Sequence, residues 1–60
     1  MAYTLDCTRE RETDNAVLVT TDDGDEIWFP LSQVDSMHFG QNGAGYIVVT
    51  DWIARQKGLR

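Results

Sequence analysis

Lysine and arginine are missing from the whole stretch between Glu12 and Ala54, while the same 43 residues hold eight carboxylates: Glu12, Asp14, Asp22, Asp23, Asp25, Glu26, Asp35 and Asp51. A surface of that sign repels nucleic acid and attracts basic surfaces. Cysteine occurs once, so Cys7 has no internal disulfide partner. Proline also occurs once, which leaves Pro30 as a single strong strand breaker. Apolar runs are short. Tyr46 to Val49 falls far below the ~20 residues a membrane helix needs, and no membrane association is expected. The start Met-Ala-Tyr-Thr has neither a basic nor an apolar leader region, so the expected location is the cytoplasm.

What is present suits one small folded domain. Sixty residues with 42% hydrophobic and 10% aromatic content can build a single core spanning 1–60, with a thin stability margin that leaves room for a homodimer. The net charge is −5, and the five cations sit at the ends, as Arg9, Arg11, Arg55, Lys57 and Arg60. Direct nucleic-acid binding is therefore not expected, because an oligonucleotide groove needs a cationic track.

Turn signals recur about every ten residues, the spacing of a small all-β domain. Tyr3, Leu5 and Cys7 alternate with Thr4, Asp6 and Thr8, which reads as a half-buried strand. Thr13-Asp14-Asn15 marks a turn before the β-branched run Ala16 to Thr21. Asp23-Gly24 predicts a two-residue type I′ hairpin returning through Glu26 to Phe29. That register sets Val19 opposite Trp28 and Leu18 opposite Phe29. Leu31 to Val34 fits one helical turn or a 3₁₀ connection after Pro30, and Asn42-Gly43 predicts a second hairpin between Ser36–Phe39 and Gly45–Val49. Thr50 is the expected N-cap of a short terminal helix that ends at Lys57 and Gly58 and docks through Trp52 and Ile53. Strands with apolar bulk on both faces point to a mainly β architecture, either an SH3/OB-like five-stranded barrel or a strongly bent antiparallel sheet, with a short C-terminal helix.

Chemistry-bearing constellations are few. His38 stands alone in a strand, Cys7 has no basic neighbour, and a chain of this size encloses little room for a catalytic pocket. The expectation is a non-enzyme without cofactor or metal. The Gly40 to Gly45 stretch lacks the lysine and long helix of a phosphate loop and reads as a hairpin. Asp22-Asp23-Gly24-Asp25-Glu26 is too short a loop to surround Ca²⁺ with six or more oxygens. It serves better as a contact surface for a basic partner. Asp14, Asp22, Asp23, Asp25, Glu26 and Asp35, with Trp28 beside them, are the candidate partner-binding residues. Most aromatics belong in the core, with Trp28 and Trp52 the two most expected at the surface.

The string Asp23-Gly24-Asp25-Glu26-Ile27-Trp28-Phe29-Pro30-Leu31-Ser32-Gln33-Val34, with Trp52-Ile53-Ala54-Arg55-Gln56-Lys57-Gly58-Leu59 at the end, resembles small acidic proteins of phages and prophages. Those share an acidic-Gly turn, a Trp-x-Pro-x-Ser-Gln core and a Trp-Leu-Ala-x-x-x-Gly-Leu ending. The similarity spans Ala16 to Val34 and Ile47 to Leu59, and departs where Asp51 replaces the helix-opening proline often found there. It implies a mobile-element origin. Proteins of this size and charge are similar to anti-CRISPR inhibitors, which cover DNA-binding surfaces by mimicking phosphate charge. The expected function is a DNA-mimicking inhibitor of a host nucleic-acid-binding defence complex. The alternatives are an accessory protein that stacks single-stranded nucleic acid on exposed aromatics and a homo-oligomeric structural subunit.

Overall fold

The computed structural model describes residues 2–60. Five strands, β1 (Ala2–Glu12), β2 (Ala16–Thr21), β3 (Glu26–Pro30), β4 (Val34–Phe39) and β5 (Ala44–Thr50), are followed by one helix, α1 (Asp51–Gln56). All pairings are antiparallel, in the order β3-β2-β1-β5-β4. β1 is the spine: its first half pairs with β5, its second half with β2, and a bulge between Arg9 and Arg11 bends it.

The connection from β3 to β4 forces the curvature. In a flat sheet four strand spacings would hold these edges about 19 Å apart, whereas the four peptide steps from Pro30 to Val34 reach at most about 14 Å. The chain crosses on one 3₁₀ turn, Leu31–Gln33, and the sheet curls to meet it. β3 and β4 do not pair with each other, so the sheet is open and strongly bent, the second of the two architectures expected. Val34 belongs to β4 and not to the helical turn predicted for it.

Opposed residues share a sheet face, and the inner face collects Cys7 from β1, Val17 and Val19 from β2, Phe29 from β3, and Ile47 and Val49 from β5. Ile53 and Ala54 of α1 complete this core. The helix is only six residues long, too short to persist alone, and it holds by capping and docking. The Ile53 amide donates to Thr50 Oγ1 at 3.2 Å, and the Thr50 hydroxyl donates to Gln33 Oε1 at 2.7 Å. At the other end Gly58 has φ +76°, the Leu59 amide donates to Ala54 O and the Gly58 amide to Arg55 O. This pattern closes a Schellman motif.

Two further expectations are corrected. Val17 lies opposite Phe29, Leu18 opposite Trp28 and Val19 opposite Ile27, one residue away from the predicted register. The cause is the turn: Asp23 and Asn42 do not take the positive φ a type I′ turn requires, since among the described residues only Gly24, Gly43 and Gly58 do. Each hairpin instead has a three-residue loop with glycine last, a type I turn followed by a bulge. The second correction concerns α1. Its buried pair is Ile53 and Ala54, while Trp52 points out, because the small Ala54 side chain allows the helix backbone to approach the sheet closely.

Candidate functional site

The acidic hairpin is built by backbone geometry that leaves its carboxylates outside. The Thr21 amide donates to Asp25 O at 2.8 Å and the Gly24 amide to Thr21 O at 2.9 Å, while the Asp25 amide donates to Thr21 Oγ1 at 3.1 Å. These bonds consume backbone groups and the threonine hydroxyl. Asp22, Asp23, Asp25 and Glu26 remain exposed, and among the described residues none of the four carboxylates enters an ion pair.

Two of the cations are occupied elsewhere. Arg9 reaches Glu12 at 3.6 Å and lies over the Phe39 ring at 5.7 Å. Arg60 binds Asp51 at 2.7 Å and lies over Tyr3 at 5.9 Å. Two of the five positive charges are thus spent on the chain's own frame, and the hairpin's negative charge is not neutralised locally. Exposed pairs of this kind contribute little to stability; their consequence here is the charge they leave unbalanced.

One further carboxylate joins the hairpin. Cys7 lies opposite Thr21, which sets Asp6 beside Asp22. Burial pushes the Cys7 thiol up to about 11 from 9.0, and the Asp6 and Asp22 carboxylates add to the rise. Cys7 is therefore a protonated core thiol without nucleophilic character at neutral pH. Asp6 was readable as a wet-face residue of the first strand, but nothing local to it signals that β1 runs beside the hairpin tip.

The candidate residues do not form one patch. Asp22, Asp23, Asp25 and Glu26 cluster. Asp14 is exposed in the β1–β2 turn, at the opposite end of β2, where Thr13 Oγ1 accepts the Asn15 and Ala16 amides at 3.3 and 3.1 Å. Asp35 is exposed at the register shift between Val34 and Ser36, on the far edge strand. Trp28 lies on the outer face opposite Leu18, two residues from Glu26 along the same strand, so it can flank the acidic contact.

The outer face also carries apolar and aromatic surface. Trp28 and Tyr46 are each 41% exposed there; Trp52, on α1 and not on the sheet, is 58% exposed. His38 stacks on Tyr46 with ring centroids 6.0 Å apart. Glu10, whose carboxylate accepts the Thr20 hydroxyl at 2.9 Å, shares this surface with Asp6 and Glu26, and Arg11 joins them opposite Leu18, so Trp28 and Tyr46 stand among three carboxylates and one guanidinium.

A groove of about 480 Å³ opens on the inner side of the hairpin, more space than a sixty-residue chain was expected to offer. Tyr3 and Leu5 of β1, Ile27 of β3 and Leu59 form its apolar part and Asp23 and Asp25 its rim; Glu26 borders it with its side chain on the outer face, and Lys57 lines it from the tail after α1. The Schellman closure creates this wall by turning Gly58 and Leu59 back along the sheet. Among the described residues no group of three or more His, Cys, Asp or Glu side chains is arranged to hold a metal ion, and no helix is long and apolar enough to cross a membrane. The chain matches no known protein family model, curated protein or solved structure.

Proposed function

We propose that this chain is a non-enzymatic, phage-type protein-binding module whose acidic β2–β3 hairpin engages a basic surface of a nucleic-acid-binding protein. The observation that carries the reading is the set of hairpin carboxylates, held on a hydrogen-bonded turn and left without internal counter-ions. The turn backbone that carries these carboxylates is already ordered when they meet lysine and arginine, and the charges accelerate encounter by long-range attraction. A protein that binds the phosphate backbone presents the complementary charge, so occupying it blocks nucleic acid. The resemblance to small phage proteins makes a host defence complex, acting in the bacterial cytoplasm, the class of target, with inhibition as the outcome.

The exposed tryptophans favour a second reading, in which Trp28 and Trp52 stack single-stranded nucleic acid. The acidic neighbours Glu26 and Glu10 weigh against it. An affinity pull-down from nuclease-treated bacterial lysate separates the two. The native chain is expected to recover a basic nucleic-acid-processing complex, and a chain carrying Asp22→Asn, Asp23→Asn, Asp25→Asn and Glu26→Gln is expected to lose it. Equal recovery by both chains, or recovery that disappears with nuclease, overturns the acidic-surface reading.

A further inference from the structure

We propose that the groove between the acidic hairpin and the tail after α1 seats one arginine side chain of the basic partner. This inference rests on the reading above and specifies its contact. The groove joins two features: half-buried apolar groups from Tyr3, Leu5, Ile27 and Leu59, and a carboxylate rim from Asp23 and Asp25 of the hairpin loop. Its volume of about 480 Å³ falls within the ~300–1,000 Å³ range of small-ligand sites.

Charge selects the occupant. Two carboxylates, Asp23 and Asp25, border the groove with a single ammonium, that of Lys57, which forms no ion pair with either among the described residues. An anionic ligand is repelled, and a neutral apolar one leaves the rim uncompensated. A cation on an apolar stem satisfies both parts. Arginine fits better than lysine because its guanidinium is planar, weakly hydrated, bidentate toward carboxylates and able to lie on an aromatic ring. The chain already makes that arrangement once at the groove's border: Arg60 lies over the Tyr3 ring at 5.9 Å while binding Asp51 at 2.7 Å. The partner's arginine would use the same ring from the groove side, with Asp23 and Asp25 in place of Asp51.

The test uses the full chain with labelled methyl groups, titrated with n-butylguanidinium, its neutral twin n-butylurea, and guanidinium itself. Butylguanidinium should shift the Leu5, Ile27 and Leu59 methyl resonances saturably, and both the uncharged and the stemless probe should bind roughly tenfold or more weakly. Leu59→Trp fills the groove without touching a carboxylate; it should abolish the probe shifts and weaken partner recovery by roughly tenfold. Lys57→Glu replaces the ammonium with a third carboxylate and should tighten butylguanidinium by roughly threefold, which guards against Leu59→Trp acting only through misfolding. If butylurea binds as well as butylguanidinium, or if Lys57→Glu leaves probe affinity unchanged, the arginine seat is wrong. If the folded Leu59→Trp chain recovers partner as the native chain does, the seat is overturned and the acidic-hairpin reading stands. If the probe saturates the groove while the native chain recovers no basic partner, the reading of function fails and the site remains.

Discussion

The turns at Asp22-Asp23-Gly24 and Gln41-Asn42-Gly43 close with matching hydrogen bonds, the Thr21 amide to Asp25 O and the Gly24 amide to Thr21 O in one, the Gly40 amide to Ala44 O and the Gly43 amide to Gly40 O in the other. Their glycines have nearly the same φ, +91° and +87°. What surrounds them differs. A side chain at Gly24 would meet nothing within 4 Å, whereas at Gly43 it would lie 3.1 Å from Arg9 O, and Gly43 O accepts the Arg9 amide at 2.8 Å. The second turn is packed onto β1 and carries no charge. The first projects freely and carries the four carboxylates. One backbone solution thus serves two purposes: glycine in third place makes the turn, and the neighbouring side chains decide whether it closes the sheet or presents a surface.

The largest break in this comparison comes at the residue after each turn's closing position. Glu26 in the first hairpin corresponds to Gly45 in the second, where a Cβ would overlap the His38 carbonyl oxygen. Gly45→Ala should cost on the order of 3 kcal/mol or more, enough to unfold a chain whose whole stability is about 3–9 kcal/mol. Chemical denaturation reads this directly; an unshifted midpoint would mean that β4 and β5 can separate without loss. Shortening Glu26 to Ala should stay within about 0.5 kcal/mol, as for an exposed position.

Next in size is the functional contrast. Amides at positions 22, 23, 25 and 26 should reduce partner recovery by at least roughly tenfold while leaving the thermal midpoint nearly in place. Asn42→Asp is the reverse experiment. It keeps the oxygen that accepts the Ala44 amide at 3.0 Å, adds charge to the packed turn, and should create no new binding.

A smaller effect compares the glycines themselves. Gly24→Ala places a side chain in the left-handed region with open space around it and should cost about 1–2 kcal/mol, or about 4–16 °C in thermal midpoint for a domain of this size. Gly43→Ala adds the close approach to Arg9 O and should cost more; equal midpoints for the two variants would show that crowding at Gly43 relaxes freely.

The smallest effect lies between the hairpins, at Cys7, which is opposite Thr21 on one side and Gly45 on the other. Its folded pKa of about 11 stands above the ordinary 9.0. The thiolate forms more readily in the unfolded chain, so this contribution to stability is complete below pH 9 and is lost as pH rises through about 11. Denaturation midpoints measured between pH 8 and 11 should decline, and Cys7→Val should flatten the decline. Asp22→Asn, which removes one of the two charges raising the thiol, should reduce it slightly. An identical pH profile for all three chains would show that Cys7 does not carry the effect.

Much of the frame was legible from neighbouring residues alone. Five strands, the stop at Pro30, the cap at Thr50, the closing Gly58 and the exposed acidic turn each depend on interactions within about five residues, which a linear chain displays. The hairpin register was not, because Asp-Gly and Asn-Gly serve both two-residue and three-residue loops, and only the packing of Val17, Val19 and Phe29 inward selects between them. Trp52 was rightly expected at the surface but wrongly given a docking role, because one and a half helical turns show too little periodicity to reveal which face docks.

Composition and order along the chain determined that the hairpin would be acidic, that cations would stand at the ends, and that strands would alternate between wet and dry faces. Tertiary structure decided which charges meet. Asp6 comes beside Asp22, Asp14 and Asp35 are carried away from the cluster, Arg9 and Arg60 are spent on internal partners, and the tail after α1 turns back to wall a groove with Asp23 and Asp25. The physical reason is range. Turns and caps are closed by hydrogen bonds between near neighbours, while a charged groove exists only after a bent sheet and a docked helix bring together residues as distant in sequence as Tyr3 and Leu59.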